Sequence, residues 1–304
     1  MKALIPAAGH GTRFLPITRV VPKEMLPVGA KPAIQLIVEE ALAAGAEEVV
    51  IVVSPEKEIV RKYFDGETAL ASRIRWAWQT EQRGLGHAVL QGAPLLAQER
   101  EPVLVLLGDA LVSGETPSAA MAAISRAHGG ASVVGLEEVP LEKVSRYGIV
   151  KGTPIGDINV LKEFKVFKDL NVIKDFRDPN DPKGLKDPND PKGLKDPNDL
   201  KDLKDPKDLK DLKDSILKLD DLVEKPAPEA APSRLAIAGR YLLDPAIFDL
   251  LATQTPGHGG EIQLTDSIRR LLAEKPVYGY RYPGHRHDIG NPAGYLETLN
   301  AFSA

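Results

Sequence analysis

The segment from Leu4 to Pro27, LIPAAGHGTRFLPITRVVPKEMLP, sets the tightest limit on the fold, because Pro16, Pro22 and Pro27 are spaced too closely for any ordinary helix. It begins as a short apolar run, Ala3-Leu4-Ile5, and turns through Ala7-Ala8-Gly9-His10-Gly11. Thr12, Arg13 and Lys23 follow on the proline-stiffened stretch. The reading is a buried strand followed by a rigid loop with two fixed cations, which suits a polyanion held against the backbone. Two other glycine-rich loops are excluded: GxxxxGK[ST] does not occur, and a GxGxxG fingerprint fails because Phe14 and Pro16 stand where a third glycine and a helix are needed. Gly9 and Gly11 alone would make only a tight turn; Arg13 and Lys23, with nothing acidic between them, favour phosphate.

Beyond this loop the chain alternates. Ile34, Ile37, Val38, Ala41 and Leu42 recur at helical spacing between Pro32 and Gly45. Val49 to Val53 is an uninterrupted β-branched run, as in a strand covered on both faces. Ser54-Pro55 opens a second helix to Phe64, and Ile74 to Trp78 reads as a third strand. This cadence predicts an α/β domain with a doubly wound, mostly parallel sheet, in which ligands collect at the carboxyl ends of the strands. Gln79 and Asp109 fall at such ends. Gln79 is either an ordinary polar residue or, because its amide offers a donor and an acceptor together, one suited to a pyrimidine edge, and Gly84 in the following RGLGHA lets a base approach the backbone. Asp109, beyond the apolar run Val103 to Leu107, is either a turn residue or a carboxylate for Mg²⁺, an ion that prefers oxygen ligands and bridges to phosphates.

Composition removes several classes. A net charge of −4 leaves no electrostatic footprint for nucleic acid or an anionic membrane. No cysteine is present, so disulfides, thiolate metal sites and thiol nucleophiles are excluded. A first strand at Ala3 and the lack of a long apolar run point to the cytoplasm, with no membrane span. His287-Asp288 hints at a hydrolytic triad, but no GxSxG elbow exists to supply its nucleophile.

From Lys151 to Leu222 the composition changes. KEFKVF and KDLNVI (162 to 173) suggest a six-residue repeat, and four nine-residue units fill 178 to 213, the first two both DPNDPKGLK. Between 177 and 214 ten Lys or Arg face eleven Asp, so the run is neither a basic arm nor an acidic tail. Its apolar content is too low to offset ordering entropy, and disorder or loose helix is predicted.

GxGTR with a lysine ten residues after its arginine, here Arg13 and Lys23, resembles the signature of the sugar-1-phosphate nucleotidyltransferases. PAAGHGTRFLP, PKEMLP and KPAIQ are most similar to its uridylyl-transferring members, and YGIV, VEKP, GEIQLTD and HDIGN extend the resemblance to the C-terminus. The resemblance implies a Rossmann-like nucleotidyltransferase fold acting on UTP and glucose 1-phosphate with Mg²⁺, as a homo-oligomer. It divides the chain into a nucleotide-binding half (1–150), a low-complexity insertion (151–222), and a half for sugar and second metal ligand (223–304). Carried over residue by residue, it places Ala8, Gly9, Gly11 and Thr12 on the nucleotide and Gln79 and Gly84 on the uracil. Arg13 goes to the leaving pyrophosphate, Lys23 to the triphosphate and Lys225 to the sugar phosphate. Gly148, Glu224 and Glu261 face the sugar, and Asp109 and Asp288 hold the metal. Ala110 stands where many members carry a second acid, Arg234 where asparagine is usual, and the insertion is far longer than the family's bridge between YGVV and VEKP. A thymidylyltransferase is the nearest rival, disfavoured by GLGHA, PKEM and HDIGN; a binding protein made inert by the insertion is the other.

Overall fold

Apolar strands whose alternate side chains enter two separate cores decide the layering of this molecule. The computed structural model describes residues 1–67, 69–155 and 214–303. Its strands are β1 (Ala3–Pro6), β2 (Pro27–Val28), β3 (Lys31–Pro32), β4 (Val49–Val53), β5 (Ile74–Trp78), β6 (Val103–Leu106), β7 (Ala110–Ser113), β8 (Ser132–Glu138), β9 (Gly148–Pro154), β10 (Ile216–Glu224), β11 (Leu235–Leu243), β12 (Val277–Arg281) and β13 (His285–Asp288). The helices are α1 (Ala33–Ala43), α2 (Glu58–Glu67), α3 (Leu85–Leu90), α4 (Ala93–Leu96), α5 (Pro117–Ala127), α6 (Ile247–Ala252), α7 (Leu264–Glu274) and α8 (Pro292–Phe302).

Nine strands form one sheet in the order β5-β4-β1-β6-β11-β8-β12-β10-β9. Its first four strands are mutually parallel, β12 is parallel to β8, and β10 and β11 run against their neighbours. Val49, Ile51 and Val53 join the core beneath α1 and α5, while Val50 and Val52 join the one beneath α3, α6 and α7. This two-sided burial is why β4 is apolar without a break. The doubly wound α/β reading therefore holds, as a mixed sheet.

The first loop contains no α-helix; it folds into one-turn 3₁₀ segments at Thr12–Phe14, Ile17–Arg19 and Lys23–Met25. Smaller departures from the sequence reading have local causes. Residues 55–57 form a 3₁₀ turn before α2, which runs on past Phe64. After the GLG turn the helical stretch divides into α3 and α4, because Pro94 in the first turn of α4 has no N–H with which to continue α3.

The boundaries 151 and 222 need correcting. Lys151–Pro154 lies in β9 and Ile216–Leu222 in β10, and the two strands pair from Gly148↔Glu224 to Pro154↔Leu217. Ile155 N–H donates to the Ile216 carbonyl at 3.1 Å just beyond that last pair. The low-complexity run therefore leaves from the end of a hairpin opposite Gly148, about 20 Å away at a rise of ~3.3 Å per residue. The nine-residue repeat, and the disorder predicted for it, lie outside the described residues.

One buried ion pair ties the layers together. Arg240 on β11 is fully buried and donates to both oxygens of Glu40 on α1, at 2.9 and 2.8 Å. It also donates to the carbonyl of Ala110 at 2.8 Å, next to Asp109, and Ser118 on α5 donates to Glu40. Removing one partner strands a buried charge. Arg240→Met is expected to lose about 3–5 kcal/mol in urea unfolding, and Arg240→Met/Glu40→Leu to recover most of it.

Candidate active site

The carboxyl ends of β1 and β6 and the segment after β5 open into a cleft of about 320 Å³, lined by Ala8, Gly9, Lys23, Gln79, Gly84, Asp109 and Glu261 among others. The loop after β1 forms one wall, and a lysine that the sequence reading missed holds it in place. Lys57, 6% exposed, donates to the carbonyls of Ala7 at 2.7 Å and Gly9 at 2.6 Å, and to both oxygens of Glu24 at 2.9 and 2.8 Å. Burial pushes the Glu24 carboxyl up and the Lys57 ammonium down, each against the pull of its partner's charge. Only its position one turn after the Val49–Val53 strand could have marked Lys57 in advance.

The other face of the loop presents Lys23, whose Nζ lies 2.5 Å from Asp109 Oδ2. Burial works against the Lys23 charge, but Asp109, Glu24 and Asp288 together raise its pKa. Asp109 is shifted down: burial opposes its charge, and the Lys23 ammonium outweighs burial. Asp288 reaches the same spot from β13, which pairs Asp288 with Ala110. A Cβ on Gly290 would stand 2.7 Å from Asp288 Oδ1 and 3.4 Å from Asp109 Oδ2, so the two carboxylates share one small space. Gly290 N–H fixes Asp288 Oδ1 at 2.7 Å, and Asn291 caps α8 by accepting from Gly294 N–H at 3.0 Å.

Two carboxylates facing a lysine fit a hard divalent cation, which takes oxygen ligands and completes its shell with water and phosphate. Among the described residues no cluster of three or more acidic, histidine or cysteine side chains could hold a metal.

Opposite the lysine, Gln79 is 2% exposed and its Nε2 lies 3.0 Å from His87 Nδ1 and 3.4 Å from the Gly84 carbonyl. The GLG turn is fastened to the segment before α7: Gly86 N–H donates to Ile262 O and Ile262 N–H to Arg83 O, both at 2.8 Å. Gly84 has φ +99°, and a Cβ there would stand 2.7 Å from Glu261 Cβ and 2.9 Å from Ile262 O. Glu261 thus lies against Gly84, on the Gln79 side of the cleft.

Gly148, Glu224 and Lys225 form a separate group. A Cβ on Gly148 would be 2.7 Å from Thr265 Oγ1 and 3.3 Å from Glu224 Oε2, and Lys225 Nζ is 3.2 Å from Glu224 Oε1. Lys225 holds a left-handed backbone, φ 45°. Arg286, on the β13 arm that carries Asp288, donates to Glu137 and stacks its guanidinium 4.8 Å from the Tyr147 ring centroid. Arg234, at the position where the family carries asparagine, is turned to an exposed ion pair with Glu138. Gly11, Thr12 and Arg13 lie farther along the first loop and do not line the cleft; Thr12 and Arg13 are exposed.

A glycine turn, a lysine and paired aspartates at the carboxyl ends of the parallel strands of this mixed sheet make an arrangement suited to nucleotide phosphates. Residues 2–164 and 211–303 match the family model described as nucleotidyl transferase. The chain belongs to that family. It is 36% identical to a UTP–glucose-1-phosphate uridylyltransferase 2 of Staphylococcus saprophyticus subsp. saprophyticus, covering 98% of this chain and 90% of the relative. Among solved structures, a UDP-glucose pyrophosphorylase complexed with UDP-glucose superposes with a TM-score of 0.73 at 34% identity, over 99% of this chain and 98% of the other. A UTP-bound UGPase from Acinetobacter baumannii gives a TM-score of 0.69 at 30% identity, over 99% and 92%.

Gly84 provides the local test. Its backbone lies in a region that only glycine adopts freely, and carbonyl Ile262 blocks a side chain. Gly84→Ala is expected to destabilise the protein by about 1–3 kcal/mol in thermal or urea unfolding. A variant as stable as the parent would contradict this geometry.

Proposed function

We propose that the protein transfers a uridylyl group from UTP to glucose 1-phosphate, giving UDP-glucose and pyrophosphate. The observation that carries this reading is the meeting of Lys23, Asp109 and Asp288 at the mouth of a cleft whose other wall carries Gln79 and Gly84. The activities for which the relatives are named and the complexes with UTP and UDP-glucose support the same substrates.

A phosphate oxygen of glucose 1-phosphate attacks the α-phosphorus of UTP, and the bond from that phosphorus to the pyrophosphate oxygen breaks. The sugar phosphate, with a second pKa of about 6, arrives already ionised, so no general base is needed. Positioning and charge neutralisation do nearly all of the work. In this assignment Lys23 binds the triphosphate at the α-phosphoryl group, Arg13 swings onto the departing pyrophosphate, and Lys225 receives the incoming phosphate. The backbone from Ala8 to Thr12 bounds the phosphates, and Gln79 and Gly84 take the uracil. Glu224 and Glu261 accept from sugar hydroxyls, with Gly148 against the ring. Asp109 and Asp288 would hold Mg²⁺, which supplies charge neutralisation on the phosphates when bound.

Pyrophosphate release from UTP and glucose 1-phosphate is the assay. Arg13→Ala and Asp109→Ala are each expected to lose about two orders of magnitude or more in turnover. A loss under about threefold removes that residue from the mechanism. The pH profile should rise through a single ionisation near pH ~6 and stay flat above it; a second ionisation near neutrality would require a protein base.

We also propose that residues 156–213 are a passenger on the β9–β10 hairpin, since the hairpin end that carries them is remote from Gly148. Replacing them with a short turn is expected to leave turnover unchanged, and loss of activity in a folded deletion variant would contradict this.

A further inference from the structure

His87 stands between two glutamines, and its ring cannot serve both as they are placed. Gln79 Nε2 is 3.0 Å from Nδ1, and Gln91 Nε2 is 3.2 Å from Nε2. A neutral imidazole has one acceptor nitrogen and one N–H, so it accepts from one amide NH₂ and must donate to the oxygen of the other. Each glutamine has a second anchor: Gln79 Nε2 faces the Gly84 carbonyl at 3.4 Å, and Gln91 Nε2 donates to the His87 carbonyl at 3.1 Å. Gln79 is buried at the cleft, where turning its oxygen toward Gly84 O would set two acceptors against each other. Gln91, on the α3 C-cap, can exchange its bond to the His87 carbonyl for water. The conflict therefore resolves with the proton on Nε2, Gln91 turned to accept it, and Nδ1 accepting from Gln79.

We infer that His87 is a specificity-determining positioning residue: it binds the NH₂ of Gln79 and so leaves the Gln79 carbonyl oxygen to read the base. This rests on the assignment of Gln79 to the uracil. Uracil carries N–H at its third ring position and requires an acceptor there, whereas cytosine presents a bare nitrogen at the same place and requires a donor. A Gln79 amide held in one orientation distinguishes the two; an amide free to turn does not.

The test is the ratio of dissociation constants for UTP and CTP, measured by calorimetry on the whole protein, with thermal unfolding as the control for folding. The ratio cancels any common effect on the triphosphate. His87→Leu removes the acceptor, and His87→Asp restores an acceptor that cannot donate at the position of Nδ1. Preference for UTP is expected to fall at least about tenfold in His87→Leu and in Gln79→Leu, and to persist in His87→Asp. Loss in Gln79→Leu with the parental ratio in His87→Leu overturns the role of His87 and leaves the uracil assignment standing. The parental ratio in Gln79→Leu overturns both. Equal loss in His87→Leu and His87→Asp reduces His87 to packing and also overturns the inference.

Discussion

A lysine buried at Lys57 is tolerable only because the loop after β1 gives it the carbonyls of Ala7 and Gly9 and the carboxylate of Glu24. That requirement works in both directions. The ammonium draws the carbonyls of Ala7 and Gly9 to one side, and Ala8 and Gly9 line the cleft. Glu24 is pinned by the same bonds, and its neighbour Lys23 is thereby turned toward Asp109. The alternating row of Lys57, Glu24, Lys23 and Asp109 is a charge-balanced frame that holds Lys23 and Asp109 at the cleft wall.

The frame depends on parts of the chain far apart in sequence. Arg240 and Glu40 lock β11 to α1 and grip the carbonyl of Ala110, which fixes the backbone beside Asp109. The C-terminal helix closes over the first loop: Tyr295 donates to the Pro27 carbonyl at 2.7 Å and packs edge-on against Phe14. Its cap, Asn291, directly follows the Asp288-Ile289-Gly290 segment that brings in the second carboxylate. A chain interrupted between β9 and β10 retains this site because every one of these contacts lies outside the interruption.

The sequence made the strands and the first loop legible because burial on both faces and clustered prolines leave local marks. β1, β4, β5 and β6 fell where apolar runs placed them, and Gln79 and Asp109 could be found as polar residues just past such runs. Lys57 and Arg240 were invisible for the opposite reason. A lone basic residue reads as solvated surface, and only tertiary partners 33 and 200 residues away show it to be buried. The β7–β13 ribbon was hidden too, since each strand is four residues long and draws its meaning from its partner. The insertion boundaries were misjudged because alternating strands such as ILKLDDLVE resemble the charged repeat beside them in composition, though not in pairing.

Phosphorus NMR of the protein with UTP, glucose 1-phosphate and Mg²⁺ tests the proposed uridylyl transfer most directly. UDP-glucose and pyrophosphate are expected to appear together as UTP is consumed. Unchanged UTP in a folded sample, or its breakdown to orthophosphate without a nucleotide sugar, would contradict it.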